Sequence, residues 1–321
     1  MEPKSNKVSI YACGGGGINI VSSLPSTTDA SLAEATCYAI DTSKSNLRES
    51  KFSADNLYLF DGVDGSGKVR AENHEIIGKN MLQILQKFKP GDFNIVVHSG
   101  GGGSGNVIGG SLVAELARQG EQVVVIMIGS TNSQIEVENT HKTLKSYDVI
   151  AKRSECPIVV HYLENSATAS RKSIDGGAHS AIQALLMLYS GKNSEMDSAD
   201  LRNWVKHAGA NEVFSLQFCP TTDSYARAGN AISVATLALP DQNTALEPSP
   251  AYQAVGYLVS PEAAQILPEP LHFTLSGNLI DTSAKNLQAK KLENDKRLKS
   301  AVKRDALITS SDNVTENGIV L

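Results

Sequence analysis

Four stretches of the sequence hold residue types with chemistry to offer. Three are rich in glycine: CGGGGINI (13–20), DGVDGSGKV (61–69) and HSGGGGSGN (98–106). The fourth, MDSADLRNWV (196–205), is acidic. Glycine loses more conformational freedom on folding than any other residue, so a run of four needs a use. One use is a backbone that passes close to a phosphate with its N–H groups turned outward. Taken singly, each glycine stretch reads as well as a tight turn. Taken together, three of them behind three apolar runs could surround a polyphosphate. In the acidic stretch, Asp197 and Asp200 have the spacing of a helix N-cap. A carboxylate there could equally position a water and take its proton.

Two familiar phosphate motifs fit poorly. The dinucleotide fingerprint laid on Gly14 and Gly16 demands glycine where Asn19 stands, and Asp41 falls late for its acidic partner. A Walker-type loop fits from Gly62 to Lys68 and fails at Val69, which has no hydroxyl for a magnesium ion. A self-contained nucleotide enzyme of dinucleotide-binding type stays open as one alternative. A nucleotide-binding structural protein, whose acids are only a helix cap, stays open as another.

These loops need elements to hold them. Strands are expected at residues 8–12, 36–40, 57–60, 93–97, 123–128 and 158–162, with helical periodicity at 74–88, 107–118 and 173–189. Strands rich in valine and isoleucine with helices between them indicate a parallel sheet covered on both faces. Ligands bind beyond the carboxyl ends of such strands, where the glycine stretches fall. Past residue 190 the pattern changes to strands at 213–218, 232–239, 252–259 and 271–279, which suggests a smaller mixed sheet. A helix-forming segment rich in lysine and arginine covers 283–304, ahead of the tail SSDNVTENGIVL.

Composition sets the broad class. The chain has 321 residues, 41% hydrophobic and 20% charged, enough for a large core and two domains. A net charge of -5 argues against general nucleic-acid binding. The cysteines, Cys13, Cys37, Cys156 and Cys219, form no CxxC pair, which fits reduced thiols rather than a disulfide frame or zinc site. The first residues lack the apolar core of a signal peptide, and the longest apolar run is too short for a bilayer. The expectation is a soluble intracellular protein with no membrane contact.

The combination resembles the tubulin/FtsZ superfamily of polymerising GTPases, and within it the phage-encoded tubulins, along the whole chain. Gly100, Gly101, Gly102, Gly103, Ser104 and Gly105 resemble the family signature GGGTG[ST]G, with Gly102 where the family usually has threonine; Asn106 follows directly. Gly14, Gly15, Gly16 and Gly17 followed by Asn19 resemble the first glycine loop of FtsZ. Gly65, Ser66 and Gly67 occupy the place of the loop that senses the γ-phosphate. The acidic stretch resembles the family loop NxDxx[DE], with Glu195 in place of the asparagine; Asp197 and Asp200 match the acids that reach the neighbouring subunit's nucleotide. The resemblance also implies that Asn165 and Asp175 read the guanine edge and that Glu138 contacts ribose.

What the resemblance implies is a filament-forming GTPase. A parallel-sheet GTPase domain (1–172) would be joined by a central helix (173–191) to a smaller α/β domain carrying the acidic loop (192–282). A basic C-terminal helix (283–309) and an assembly tail (310–321) would follow. GTP, hydrolysed to GDP, would bind with Mg²⁺, without a metal site built from the protein alone. The partner would be the protein itself, head to tail. The acidic, apolar-ended tail would add contacts by docking on the basic helix of another subunit. The family's phage members position the phage DNA compartment, so components of that compartment and the cytoplasm of an infected bacterium are the implied surroundings.

Overall fold

Short apolar runs become six parallel strands in the computed structural model. They are β1 (Lys7–Cys13), β2 (Glu34–Asp41), β3 (Leu57–Leu59), β4 (Phe93–Ser99), β5 (Val123–Ser130) and β6 (Ile158–Asn165). The structure describes residues 6–24, 32–48, 50–166, 169–206, 211–227, 230–259 and 267–309, with side chains in the last segment up to residue 300. Helices α1 (Gly14–Ser22), α2 (Lys44–Arg48), α3 (His74–Lys87), α4 (Ser104–Arg118), α5 (Gln134–Ser154) and α6 (Arg171–Leu188) lie between or after these strands.

Alternation along β1 shows why both faces are covered. Val8, Ile10 and Ala12 enter the core that α1 and α6 close, while Tyr11 and Cys13 enter the core closed by α3, α4 and α5. Strands that bury both faces must be apolar throughout, as VVVIM in β5 is. The six expected strands are present, each extended by up to three residues or, for β3, ending one residue early. Two expectations change. Residues 14–20 are the first turns of α1 rather than a loop, and α4 begins at Ser104 rather than at 107. The 21-residue helix α5, unforeseen because polar residues dominate it, packs against β5 and β6.

The second half continues the same sheet. After α6 come β7 (Asn193–Ser194), α7 (Ser198–Asn203), β8 (Val213–Pro220), β9 (Ile232–Ala238), β10 (Ala254–Leu258) and β11 (Leu271–Ser276). The strand order is β3-β2-β1-β4-β5-β6-β8-β11-β9-β10-β7. A parallel ladder from Ile158–Val213 to Val160–Ser215 joins the two halves, and beyond β8 the pairing is mixed. The last strand stops at Ser276, short of the expected 279, and the chain turns into α8 (Leu279–Thr309). Helix α8 packs on α5, where Lys291 pairs with Glu138 at 3.2 Å. The tail, 310–321, lies outside the described residues.

Helix α6 runs back along the sheet from the carboxyl ends of the strands to their starts. Its 18 residues span about 27 Å. Arg171 and Asp175 at its start line a cavity at the carboxyl ends of the strands. Tyr189, just past its end, stacks on Phe93 at the start of β4, 3.8 Å between ring centroids. No described helix is long and apolar enough to cross a membrane. All four cysteines are free thiols.

Candidate functional site

The third glycine stretch connects β4 to α4, and side chains behind it hold its carbonyls. Asn106 Nδ2 donates to Gly100 O (2.9 Å) and Gly102 O (2.6 Å), and Thr143 Oγ1 donates to Gly100 O (3.2 Å). Asn139 Nδ2 donates to Gly101 O (3.2 Å) and Gly102 O (3.0 Å). In a planar trans peptide the N–H opposes the carbonyl. Pinning three carbonyls from behind therefore turns the N–H groups of Gly101, Gly102 and Gly103 toward the front, beside the unpaired N–H groups of the first turn of α4. The result is a concave row of donors at the positive end of a 15-residue helix.

The first stretch delivers a second helix start to the same place. Gly14 has φ +68°, and a Cβ there would lie 2.5 Å from Gly105 Cα; a Cβ on Gly105 would lie 2.7 Å from Cys13 O. Two backbones in direct contact leave room only for glycine at both positions. The second stretch folds over the third, since a Cβ on Gly103 would lie 2.0 Å from Ser66 Oγ and 2.8 Å from Lys68 Cα. Asn73 Nδ2 donates to Gly65 O (2.6 Å) and the Gly65 N–H donates to Thr42 O (3.2 Å), so this loop is anchored to the end of β2.

The three stretches enclose a lobe of about 170 Å³, lined by Gly14, Gly15, Gly16, Gly65, Ser66, Gly102, Gly103, Ser104 and Gly105, with Asp41 and Asn46. Asp41 is buried, and desolvation raises its carboxyl pKa against hydrogen bonds from Asn46 and the Thr42 and Ser43 backbone. Gly16 and Ser99 also line a second lobe of about 640 Å³, which contains Asn165, Asp175, Arg171, Asn132, Ser130 and Glu136. The Asn165 Oδ1 atom is buried without a hydrogen-bond partner, so a ligand donor there would relieve it. Glu136 accepts from Lys68 Nζ (2.7 Å) and Ser130 Oγ (3.0 Å). Burial raises its pKa, but these hydrogen bonds outweigh that and hold the carboxyl below its ordinary value. A narrow lobe of backbone donors opening into a wider lobe with amide, carboxylate and guanidinium groups has the shape and chemistry of a nucleotide site.

Several expected contacts lie elsewhere. Gly17 packs on β4, where a Cβ would come 2.1 Å from Val97 O, and Asn19 is exposed on α1. Gly100 and Gly101 shape the loop without lining either lobe, as does Gly67 in its own stretch. Asn106 braces the loop from behind. Glu138 is turned away toward α8, paired with Lys291, because two residues on a helix point to nearly opposite sides; Glu136 takes the place on the cleft. Glu136, Asn139, Thr140 and Thr143 form one polar stripe of α5 that holds the glycine loop and the end of β5. That stripe, at spacings of three and four beside the apolar Val137, Leu144 and Tyr147, is the sequence signal for these residues.

The acidic pair stands at the other end of the molecule. Asp197 Oδ1 accepts from the N–H groups of Ala199 (2.7 Å) and Asp200 (3.0 Å), and Asp200 Oδ2 accepts from the Asp197 N–H (3.1 Å), a complete capping box on α7. Hydrogen bonds from the Asp200 and Ala199 backbone hold the Asp197 carboxyl below its ordinary pKa. Tyr252 OH donates to Asp200 Oδ1 at 3.2 Å. Helix α7 is tied to the start of β5 by Gln122 Nε2, which donates to Leu201 O (3.1 Å), and to Tyr189 OH, which also donates to Leu201 O (3.0 Å). The glycine cleft caps the carboxyl ends of the same strands. An eight-residue strand spans about 26 Å, so the acids cannot reach the cleft of their own chain.

No protein-family model matches the chain. It is 28% identical over 320 residues to the phage tubulin-like protein of Pseudomonas phage PhiPA3, covering 98% of this chain and 99% of that one. Among solved structures, it matches the protofilament of TubZ from bacteriophage PhiKZ with a TM-score of 0.82 and 28% identity, covering 98% and 99%. It also matches the phage tubulin PhuZ with GDP with a TM-score of 0.80 and 26% identity, covering 98% and 99%.

Proposed function

We propose that the chain is a tubulin/FtsZ-superfamily protein of the phage-encoded kind, a GTPase that assembles head to tail and hydrolyses GTP at each subunit junction. One observation carries this reading. The phosphate-binding cleft and the acidic pair occupy opposite ends of one rigid sheet, so each subunit holds two halves of different sites. Stacking copies along the strand direction closes every cleft with the next subunit's Asp197 and Asp200.

In such a junction the backbone N–H groups of residues 102–105 and the starts of α1 and α4 bind the phosphates. Asn165 and Asp175 offer an acceptor or donor and a fixed acceptor to the base, a set that suits the mixed edge of guanine. Asp41, the carboxylate of the phosphate lobe, is the group that would meet a magnesium ion carried by the triphosphate. The acids of the incoming subunit accept hydrogen bonds from water at the open side of the cleft. Their capping box fixes both carboxylates in place before the junction forms. The attacking water gives its proton to a carboxylate while its oxygen bonds to the terminal phosphorus and the bond to GDP breaks.

The tail is proposed to strengthen assembly. Helix α8 presents Lys285, Lys296 and Lys299, and a cavity of about 580 Å³ between α4 and α5 is lined by Arg70, Lys142, Lys145 and Arg153 beside Val107, Val149 and Ile150. None of these cations has an ion pair among the described residues. The tail offers the complementary chemistry, with Asp312, Glu316 and Ile319-Val320-Leu321. Its removal is expected to raise the critical concentration while GTP binding is unchanged; equal critical concentrations would refute this. The phage origin of the relatives supports a role in positioning phage DNA in the host cytoplasm.

The deciding experiment measures phosphate release per subunit from Mg·GTP across protein concentrations, with sedimentation in parallel. Activity that is near zero when dilute and rises with the pelleted fraction supports the shared site. Flat activity with no pellet returns the protein to the self-contained nucleotide enzymes.

A further inference from the structure

The Walker-like match that ends one residue early leaves Lys68 without a role, and its surroundings supply one. Lys68 has φ +67° and rests with its Cα against Gly103 of the phosphate loop. Its carbonyl accepts from Asn139 Nδ2 at 2.9 Å, and its ammonium reaches Glu136 Oε1 at 2.7 Å. Both partners lie on α5, one turn apart, so the lysine crosses over the glycine loop and is held at both ends. Glu136 in turn lines the cleft, with its side chain 18% exposed, whereas that of Lys68 is 51% exposed.

The charge distribution in the cleft is lopsided. Of the described residues lining the two lobes, Arg171 is the one cation, and it stands in the larger lobe beside Asp175. Among the described residues, the phosphate lobe holds a buried carboxylate, Asp41, and no side-chain cation. A half-exposed lysine–carboxylate pair is weakly held. A terminal phosphate carries more charge and three acceptor oxygens, and binds an ammonium more strongly than a single carboxylate does.

We propose that Lys68 determines the preference for triphosphate over diphosphate, its ammonium leaving Glu136 for the terminal phosphate when a nucleoside triphosphate fills the cleft. The proposal rests on the nucleotide reading of the site. Glu136 then acts as the competitor that holds Lys68 when no terminal phosphate is present. Because Asn139, Asn73 and Thr42 hold the backbone of residues 65–68, the ammonium changes partner by rotation of its own side chain.

The two partners of this pair should have opposite effects on binding. Affinities for GDP and for the β,γ-methylene analogue of GTP are measured by calorimetry on full-length protein kept below its assembly concentration. Lys68→Met is expected to lower affinity for the analogue about tenfold, the loss of one charge-assisted contact, with GDP affinity changed less than about twofold on the same grounds. Glu136→Gln is expected to raise affinity for the analogue, since it frees the lysine and removes a negative charge. If both variants weaken both nucleotides alike, the pair is only a brace for the loop and the proposal is overturned. If wild-type protein binds neither nucleotide, the reading of the cleft itself fails, and the proposal falls with it. Thermal unfolding of each variant close to that of wild type shows that the fold is intact.

Discussion

Replacing Asp197 by asparagine and by alanine separates two roles that one carboxylate plays at once. In the structure its Oδ1 accepts two backbone N–H groups at 2.7 and 3.0 Å, opening a helix only six residues long. Alanine removes the acceptor of both bonds, and losing a good N-cap in a protein of this size lowers Tm by about 1–3 °C. Asparagine keeps an amide oxygen in the same place, so its Tm should stay within about 1 °C of wild type. Turnover follows a different rule. A positioned carboxylate that takes a proton from water contributes roughly 10²–10⁴ in rate, and an amide supplies neither charge nor basicity. Both variants are therefore expected to lose turnover by about that factor, although only alanine loses stability. The assay is phosphate release per pelleted subunit at saturating Mg·GTP, with thermal unfolding of the GDP-loaded protein alongside. Wild-type turnover in the asparagine variant, with destabilisation of the alanine variant alone, would show that the acid is a helix cap and nothing more.

Three further outcomes are expected. Gly14→Ala places a Cβ 2.5 Å from Gly105 Cα at a residue with φ +68°; the strain, about 2–5 kcal/mol, should spread the two glycine loops and abolish GTP binding by calorimetry, and near-normal affinity would show that the loops do not form the phosphate lobe. Asp175→Ala should weaken GTP by about 10–100-fold, as expected for a hydrogen bond to a charged group, and weaken inosine triphosphate less, because that base lacks the exocyclic amine; equal losses would remove Asp175 from base reading. His98 is buried beside Tyr147, and burial lowers its pKa to about 4. The unfolded chain therefore takes up this proton first as pH falls, so stability present above about pH 6.5 is lost toward pH 4, by up to about 1.4 kcal/mol per pH unit. Denaturant unfolding from pH 7 to 4.5 should show that slope in wild type and its reduction in His98→Gln; equal slopes would count against it.

Local chemistry alone determined much of this protein. Short β-branched apolar runs such as VVVIM favour strands buried on both faces, and their alternation with helices implies a parallel sheet. Glycine runs behind three of those strands signal close backbone contact, because no other residue tolerates it, and the contact between Gly14 and Gly105 bears that out. The acidic spacing at 197 and 200 marked a helix start, since a cap depends only on residues within one turn. Tertiary structure decided what lies at a distance in the chain. Whether Glu136 or Glu138 faces the cleft depends on the phase of α5 against the sheet, which residue spacing alone cannot set. That Asn139 holds a loop nearly forty residues earlier in the chain, and that Asn106 braces the glycines rather than a ligand, follows from how α4 and α5 pack. Most consequential is the separation of the cleft from the acids. Helix α6 runs back along the sheet from Arg171 to Leu188, and this return sets Asp197 and Asp200 at the start of the strands whose ends hold the glycines. A motif records which groups are present; the direction of the chain between them places the cleft and the acids of one molecule at opposite ends of its sheet.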